Sequence, residues 1–501
     1  MGELGAPLLL TPFPWRPLLD TTRSAPRANV VVATLALVGT VAAMMQTLIT
    51  PLLADLPRIL HSTPSDTAWA VTVTLLVGAV FMPVAGRLGD MVGKRRMILV
   101  CLVPLVVGSA VCALASSVIP MIVGRGLQGM GLGIVALCVS LLRDTVPPEK
   151  LSTSVALISA SLGIGSGLGL PVAAAVAQFA SWRVMFWATA VIGVLLALAI
   201  LKVVPKGAAD AAGQRFDLPG TVALAIGLVC FLLAVSKGAD WGWTAAPTLI
   251  CFTGAVIVLL AWGWWELRTR DPLVDLRTTA RPQVLLTNTA SIFTGIGMYA
   301  TMLVTPQILM LPTETGYGLG QSMLATGLWM LPGGLIQVFL SPVGGKLINS
   351  RGAKFTLMLG ASVIAVGYAA ALLLMGTAPG LMTAHMIIKG GVGIAYGAMP
   401  ALIMGVVPRS QTSAANSFNS LMRSLGSSVG AAVIGVILAQ MTTVTGNHAL
   451  VSEGGFRIGL VIGCGVGILA AVISAVIPRA PRQENAERTT GRSREPEAAT
   501  G

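Results

Sequence analysis

Gly86-Arg87-Leu88-Gly89-Asp90-Met91-Val92-Gly93-Lys94-Arg95 joins two long apolar segments, and Gly345-Lys346-Leu347-Ile348-Asn349-Ser350-Arg351-Gly352-Ala353-Lys354 joins two others. The offset is 345 − 86 = 259, and at that offset glycine meets glycine, cation meets cation, and Asp90 meets Asn349. Pro83 and Pro342, just upstream, keep the same register. A membrane chain built from two related halves moves something between them, because two bundles rocking about a central site give alternating access. Transport is therefore the function to expect.

The surrounding chain has the composition this requires. Its 501 residues are 55% hydrophobic and 10% charged, with mean hydropathy +0.84, far from the soluble range. Apolar runs long enough for a roughly 30 Å hydrocarbon layer recur about fourteen times. Gly and Pro inside several of them are tolerable, since neighbouring helices can satisfy the freed backbone groups. The expected fold is an all-α polytopic bundle. Its divisions are a leader at 1–28, six spans at 29–205, a connector with two inserted spans at 206–280, six more spans at 281–478, and a polar tail at 479–501.

The formal charge of +13 does not indicate nucleic acid, because the cations collect on one side of the predicted topology. Arg16, Arg23, Arg27, Lys94, Arg95, Arg96, Arg268, Arg270, Arg277, Arg281, Lys346, Arg351 and Lys354 share that side; Arg58, Arg183, Lys237 and Arg457 fall opposite. This positive-inside asymmetry, with an even number of spans, places both termini in the cytoplasm. The six cysteines all lie within apolar spans, without CxxC or metal-ligand spacing, and behave as small buried hydrophobes. No cofactor or metal is expected, and the leader lacks the h-region and cleavage site of a signal peptide.

A second repeat supports the six-two-six division. Arg125-Gly126 with Gly129 and Gly133 in the fourth span matches Lys389-Gly390 with Gly393 and Gly397 in the twelfth, at an offset of 389 − 125 = 264. Trp262, Trp264 and Trp265 end the eighth span as an interfacial anchor.

On these residues the chain resembles the major facilitator superfamily. The loop Gly86 to Arg96 looks like its signature between the second and third helices, and Arg125 with Gln128-Gly129 like its fourth-helix signature. Gly163, Gly165, Gly167 and Gly169, with Pro171, resemble the fifth-helix antiporter signature. Six plus two plus six spans, with Phe216 to Gly220 opening the seventh, points to the fourteen-helix drug:proton antiporter branch. Two departures stand out. Leu170 separates Gly169 from Pro171 where the signature has Gly-Pro, and Met45 stands where the branch often carries a first-helix aspartate. The second departure puts the usual proton carrier in doubt, though not the fold.

Within the loop, Gly86 and Gly93 permit close approach, while Asp90 can accept from a helix N-terminus or pair with Arg87, Lys94 or Arg95. The resemblance implies that this loop is a conformational latch. Charge for topology alone explains Lys94 to Arg96, but not the spaced glycines with Asp90. Arg125, Lys389 and Arg423 are cations deep in spans, where each costs roughly 2.5–3.5 kcal/mol and must face protein or water. Arg125 is either a fixed charge beside a coupling carboxylate or a clamp on backbone carbonyls; His385, one turn before Lys389, is a titratable or a packed histidine.

No Asp or Glu falls clearly at mid-membrane, so the nearest proton-exchange candidates are Asp55 and Glu314, 314 − 55 = 259 residues apart. They are either paired mouth carboxylates or solvated loop residues placed alike by ancestry. Gly163, Gly167, Gly169 and Pro171 form a helix-five interface between halves, and Gly426 with Gly430 suits close packing. An apolar substrate cavity is expected from Met45, Gln46, Phe293, Tyr299, Met302, Gln307, Trp329 and Gln337.

The expected function is secondary active export of amphipathic drugs or related small molecules in exchange for protons, by a monomer in the cytoplasmic membrane. Its partners are substrate, protons and lipid; no nucleic acid is involved. Alternatives are a narrow-specificity metabolite transporter with unknown coupling, and a transport-silent sensor or scaffold. A membrane enzyme is the weakest alternative, for want of a metal cluster, nucleophile elbow or phosphate loop.

Overall fold

The computed structural model describes residues 25–49, 52, 56–206, 209, 211, 213–445 and 448–478. Residues 1–24 of the leader, the tail and the candidate Asp55 lie outside the described residues, and the last four leader residues already belong to the first helix. Among the described residues, fourteen helices are long and apolar enough to cross a membrane. The first half holds α1 (Ala25–Thr47), α2 (Pro64–Val92), α3 (Lys94–Leu114), α4 (Val118–Thr145), α5 (Pro148–Phe179) and α6 (Arg183–Val203). The insert is α7 (Leu218–Trp241) and α8 (Ala246–Arg268). In the second half follow α9 (Pro282–Met310), α10 (Met323–Arg351), α11 (Ala353–Leu374), α12 (Ala378–Met404), α13 (Thr412–Gln440) and α14 (Glu453–Val476).

With no water to satisfy them in a bilayer, backbone groups at helix ends need caps. Side chains supply several. Thr63 accepts from Asp66 N at the start of α2, Asp217 from Gly220 N at α7, Ser322 from Ala325 N at α10, and Ser452 from Gly455 N at α14. Pro at the first turn of α2, α5, α7 and α9 has no N–H to leave without an acceptor there.

The duplication is visible in the backbone. Gly93 (φ 103°) and Gly352 (φ 88°) both turn the chain between paired helices, at the loop offset 352 − 93 = 259. A positive φ of this kind is strained for any residue with a β-carbon. The second repeat is equally physical. A β-carbon on Gly129 would lie 2.6 Å from the Thr74 carbonyl oxygen of α2, and one on Gly393 2.4 Å from the Gln337 carbonyl oxygen of α10. Both host helices are interrupted nearby, α4 by a 3-10 turn at Met130–Gly133 and α12 at Gly397.

We call the face bearing the two duplicated loops the loop face and the other the distal face. The halves meet along two seams. Between α5 and α10 the seam runs almost the whole depth: β-carbons on Gly345, Gly167 and Gly327 would lie 2.8 Å from Thr153 Cα, 2.9 Å from Gly334 Cα and 3.2 Å from Pro171 Cα. The second seam joins α2 and α13 near the loop face. Leu224, Leu228 and Leu232 of α7 cover it, packing with Leu76, Ala79 and Met82 of α2 and with Phe418 and Leu421 of α13. The inserted pair is thus a brace over one seam. One element had no forewarning in the sequence: the antiparallel hairpin Thr442–Thr445 with His448–Val451, between α13 and α14.

Candidate functional site

Asp90 is the fastening of the α2–α13 seam. Its side chain is fully buried, and its two oxygens accept from Ser413 N at 3.0 Å and Ala414 N at 2.9 Å, the first free amides of α13. A carboxylate at a helix N-terminus satisfies orphan donors and meets the positive end of the dipole. Gly86, one turn back, lets α2 come close enough: a β-carbon there would lie 2.6 Å from the Ser413 carbonyl oxygen. Of the two readings of Asp90 open in the sequence, these contacts are those of the helix terminus. The cations of the loop find partners elsewhere in the same half. Lys94 Nζ sits 2.5 Å from Asp144 Oδ2, and Arg95 donates to the Leu201 carbonyl at the end of α6 at 2.7 Å. Arg87 is buried and its Nε has no partner.

Two further ties cross on the loop face. Arg143 of α4 donates to the Val407 carbonyl at 3.1 Å and to Thr412 Oγ1 at 2.6 Å. Asp275, between α8 and α9, accepts from Gln411 Nε2 at 3.0 Å and from Thr278 Oγ1 at 2.8 Å. Partial burial works against its ionisation, and the hydrogen bonds from Thr278, Gln411 and Arg277 N outweigh it, holding the carboxyl below its ordinary 3.8.

Arg125 is held by acceptors of its own half. It donates to the carbonyls of Ala70 (3.2 Å) and Met45 (3.1 Å) and to Gln128 Oε1 (2.8 Å), while Gln128 Nε2 reaches Ser109 Oγ at 2.9 Å. Three helices of the first half, α1, α2 and α4, therefore meet at one guanidinium, α3 joins them through Gln128, and no carboxylate is among these partners. Met45 contributes its backbone rather than its side chain.

The glycines of α5 split between two neighbours. Gly165 and Gly169 face α1, against the Thr40 carbonyl and Thr47 Oγ1; Gly163 and Gly167 face α10, against Gln337 and Gly334. Two interleaved glycine pairs let one helix lie tightly between its own half and the other. Pro171 abuts Gly327 on the same seam. Gly426 and Gly430 bring α13 onto Ile292 and Ile296 of α9.

Between the halves lies a cavity of about 20 Å³, room for roughly one water. It is lined from α4 and α5 on one side and, on the other, by Tyr396, Asn416, Asn419, Ser420 and Arg423. Arg423 stacks at 4.9 Å over the Tyr396 ring and reaches Ser420 Oγ at 3.3 Å. Asn419 donates to Asn288 Oδ1 and Ser291 Oγ on α9. Asn416 donates to Ser140 Oγ across the halves, and its Oδ1 has no partner.

The other expected positions are dispersed. Glu314 is exposed in a 3-10 turn beyond α9. Gln46 is exposed; Phe293, Tyr299, Met302 and Gln307 are half-buried along α9. Trp329 donates to Gln321 Oε1 near the distal face. Gln337 is buried against Gly163 with both amide atoms unpartnered. His385 is buried between Gly333 and Thr301 Oγ1, with Lys389 one turn on. None of the eight residues expected around the substrate lines this cavity. The polar stripe Asn416, Asn419, Ser420, Arg423 was readable at i, i+3, i+4, i+7 on the thirteenth span; Tyr396 and Ser140 carried no such signal.

The family model "Major Facilitator Superfamily" matches residues 35–431. "Multidrug resistance protein Stp" of Mycobacterium tuberculosis is 26% identical over 78% of this chain and 72% of its own length. "Multidrug resistance protein 3" of Bacillus subtilis is 26% identical over 75% of this chain and 73% of its own. The crystal structure of the human organic anion transporter MFSD10 aligns with TM-score 0.64 at 15% identity, covering 89% of this chain and 99% of that one; at that identity the likeness concerns the fold alone. The match over most of the chain agrees with two repeated halves closing on a polar cavity, and this chain belongs to the Major Facilitator Superfamily, as a multi-pass membrane transporter rather than an enzyme.

Proposed function

We propose that this transporter exports amphipathic small molecules across the cytoplasmic membrane in exchange for protons, with the loop face cytoplasmic. The observation that carries the reading is the seat of Asp90 on the first turn of α13. It is a contact between halves, on one face only, made of two hydrogen bonds and a charge–dipole attraction, strong enough to favour one access state and weak enough to break each cycle. The positive-inside cation distribution supports the orientation, and relatives named for multidrug resistance support efflux.

Proton coupling is part of the proposal and has an unusual constraint. Among the described residues, every Asp or Glu within a span lies within two residues of its end. Deep in the spans the ionisable groups are Arg125, Lys389, Arg423 and His385. The proton carrier is then a group of the second-half interior or a carboxylate at a mouth, such as Glu314.

Everted vesicles carrying the full chain and energised to an acid interior test this. Addition of amphipathic compounds of varied charge should release protons from the lumen and load the compound, and Asp90→Ala should slow both. Compound loading without proton movement would remove the antiport; no loading of any compound would remove export.

A further inference from the structure

Among the described residues, the deep part of the spans carries positive charge and no carboxylate. Arg125 is spoken for by three acceptors of the first half. Lys389 and Arg423 are not. Each lies 11 residues from the start of its helix, Lys389 from the distal end of α12 and Arg423 from the loop end of α13. At 1.5 Å per residue that is about 16 Å deep from opposite faces, near mid-membrane for both. Lys389 makes no hydrogen bond or ion pair with a described residue, and Arg423 has one bond, to Ser420 of its own helix.

The cavity adds shape to that charge. Stacking on Tyr396 occupies a face of the Arg423 guanidinium and leaves its in-plane N–H fork for a planar acid, which it can hold with two parallel hydrogen bonds. Asn416, 3% exposed, lines the same cavity with an unpartnered carbonyl oxygen. A buried acceptor without a donor is costly, and a substrate hydroxyl or N–H would supply one. Lys389 and Tyr396, seven residues apart on α12, share one face of that helix about 10 Å apart, which puts a second cation on the helix face that bears the stacking ring.

We propose that this cavity seats the acidic group of an amphipathic anion on Arg423, and that the cargo is anionic rather than a lipophilic cation. The movement rests on the export reading above; the sign of the charge rests on the cavity. A cationic guest would meet unneutralised like charge in a poorly screened interior, with no carboxylate among the residues that line the cavity. As it stands the cavity of about 20 Å³ admits only water, and a drug-sized site of roughly 300 Å³ or more forms when α4 and α5 part from α12 and α13.

Two xanthene dyes of similar ring size and opposite charge separate the possibilities: fluorescein, an anion, and rhodamine 6G, a cation. Their binding to the full chain in lipid nanodiscs is followed by fluorescence polarisation, and their loading by everted vesicles. The wild type should bind and load fluorescein in preference to rhodamine 6G, a comparison that needs no variant. Arg423→Gln should weaken fluorescein binding at least about tenfold, Arg423→Lys should recover part of it, and Lys389→Gln should weaken it less. Preference for rhodamine 6G, or fluorescein binding unchanged in Arg423→Gln, would overturn the anion site and leave export standing. Failure to bind or load either dye would overturn both.

Discussion

The two halves repeat one design, yet at both repeated polar positions the first-half copy is bound and the second-half copy is open. Asp90 is buried and caps α13, whereas Asn349, its partner at the 259-residue offset, is exposed. Arg125 is held by two carbonyls and Gln128, whereas Lys389, its partner at 264, has no hydrogen bond with a described residue. The first half therefore behaves as a clamped frame, fastened to its neighbour at the loop face by Asp90 and Arg143. The second half offers the unpaired charges, and the cavity is lined by its α12 and α13.

The largest break in this comparison comes from the interior cations. Arg125→Gln takes the donor from the Met45 carbonyl and from Gln128 Oε1, while the Ala70 carbonyl keeps the Thr74 hydroxyl; at about 1–3 kcal/mol for each buried acceptor, the loss is on the order of 3 kcal/mol in thermal unfolding of the purified protein. Lys389→Gln removes an unpaired intramembrane charge and should leave stability unchanged or raised. Equal losses in the two variants would mean that Lys389 is held as firmly as Arg125.

Loop variants come next. Asp90→Ala removes both cap acceptors, worth about 1–2 kcal/mol, or roughly a tenfold fall in the ratio of closed to open molecules at the loop face. Asn349→Ala should change that ratio by less than about twofold, which accessibility of loop-face cysteines to a water-soluble maleimide would report. A similar response from both loops would erase the distinction.

Asp275 gives the smallest effect. Its carboxyl is held below the ordinary 3.8 by Thr278 and Gln411, so its contribution is present above that value and lost as pH falls through the depressed one. The wild type should lose its small advantage over Asp275→Asn only on acidification below about pH 4. An advantage that persists there would place the effect in packing rather than charge.

Much of the architecture was legible because membrane spans are written in long apolar runs, and because glycine at positive φ has few substitutes. Gly93 and Gly352 mark the turns, and Gly129 and Gly393 the close crossings, as the repeat arithmetic implied. The acceptors around Arg125 were hidden, since Ala70 and Met45 contribute backbone carbonyls that any residue could supply. The cavity lining was hidden for another reason. Which faces of α4, α5, α12 and α13 meet depends on how two halves close, and no local pattern encodes that. The stripe from Asn416 to Arg423 was visible as a polar face, yet its neighbour Tyr396 belongs to another helix. Asp55 falls outside the described residues, and Glu314 is exposed on a turn.

The most direct test is a distance across the loop face. In a cysteine-free background, spin labels replacing Arg96 at the start of α3 and Arg409 just before α13, both exposed, report the separation of the halves by pulsed EPR in nanodiscs. The wild type should give one dominant short distance, Asp90→Ala a second, longer population, and Asn349→Ala the wild-type distribution. An unchanged distribution in Asp90→Ala would contradict the latch, because the seat of Asp90 on α13 would then not be what holds the halves together.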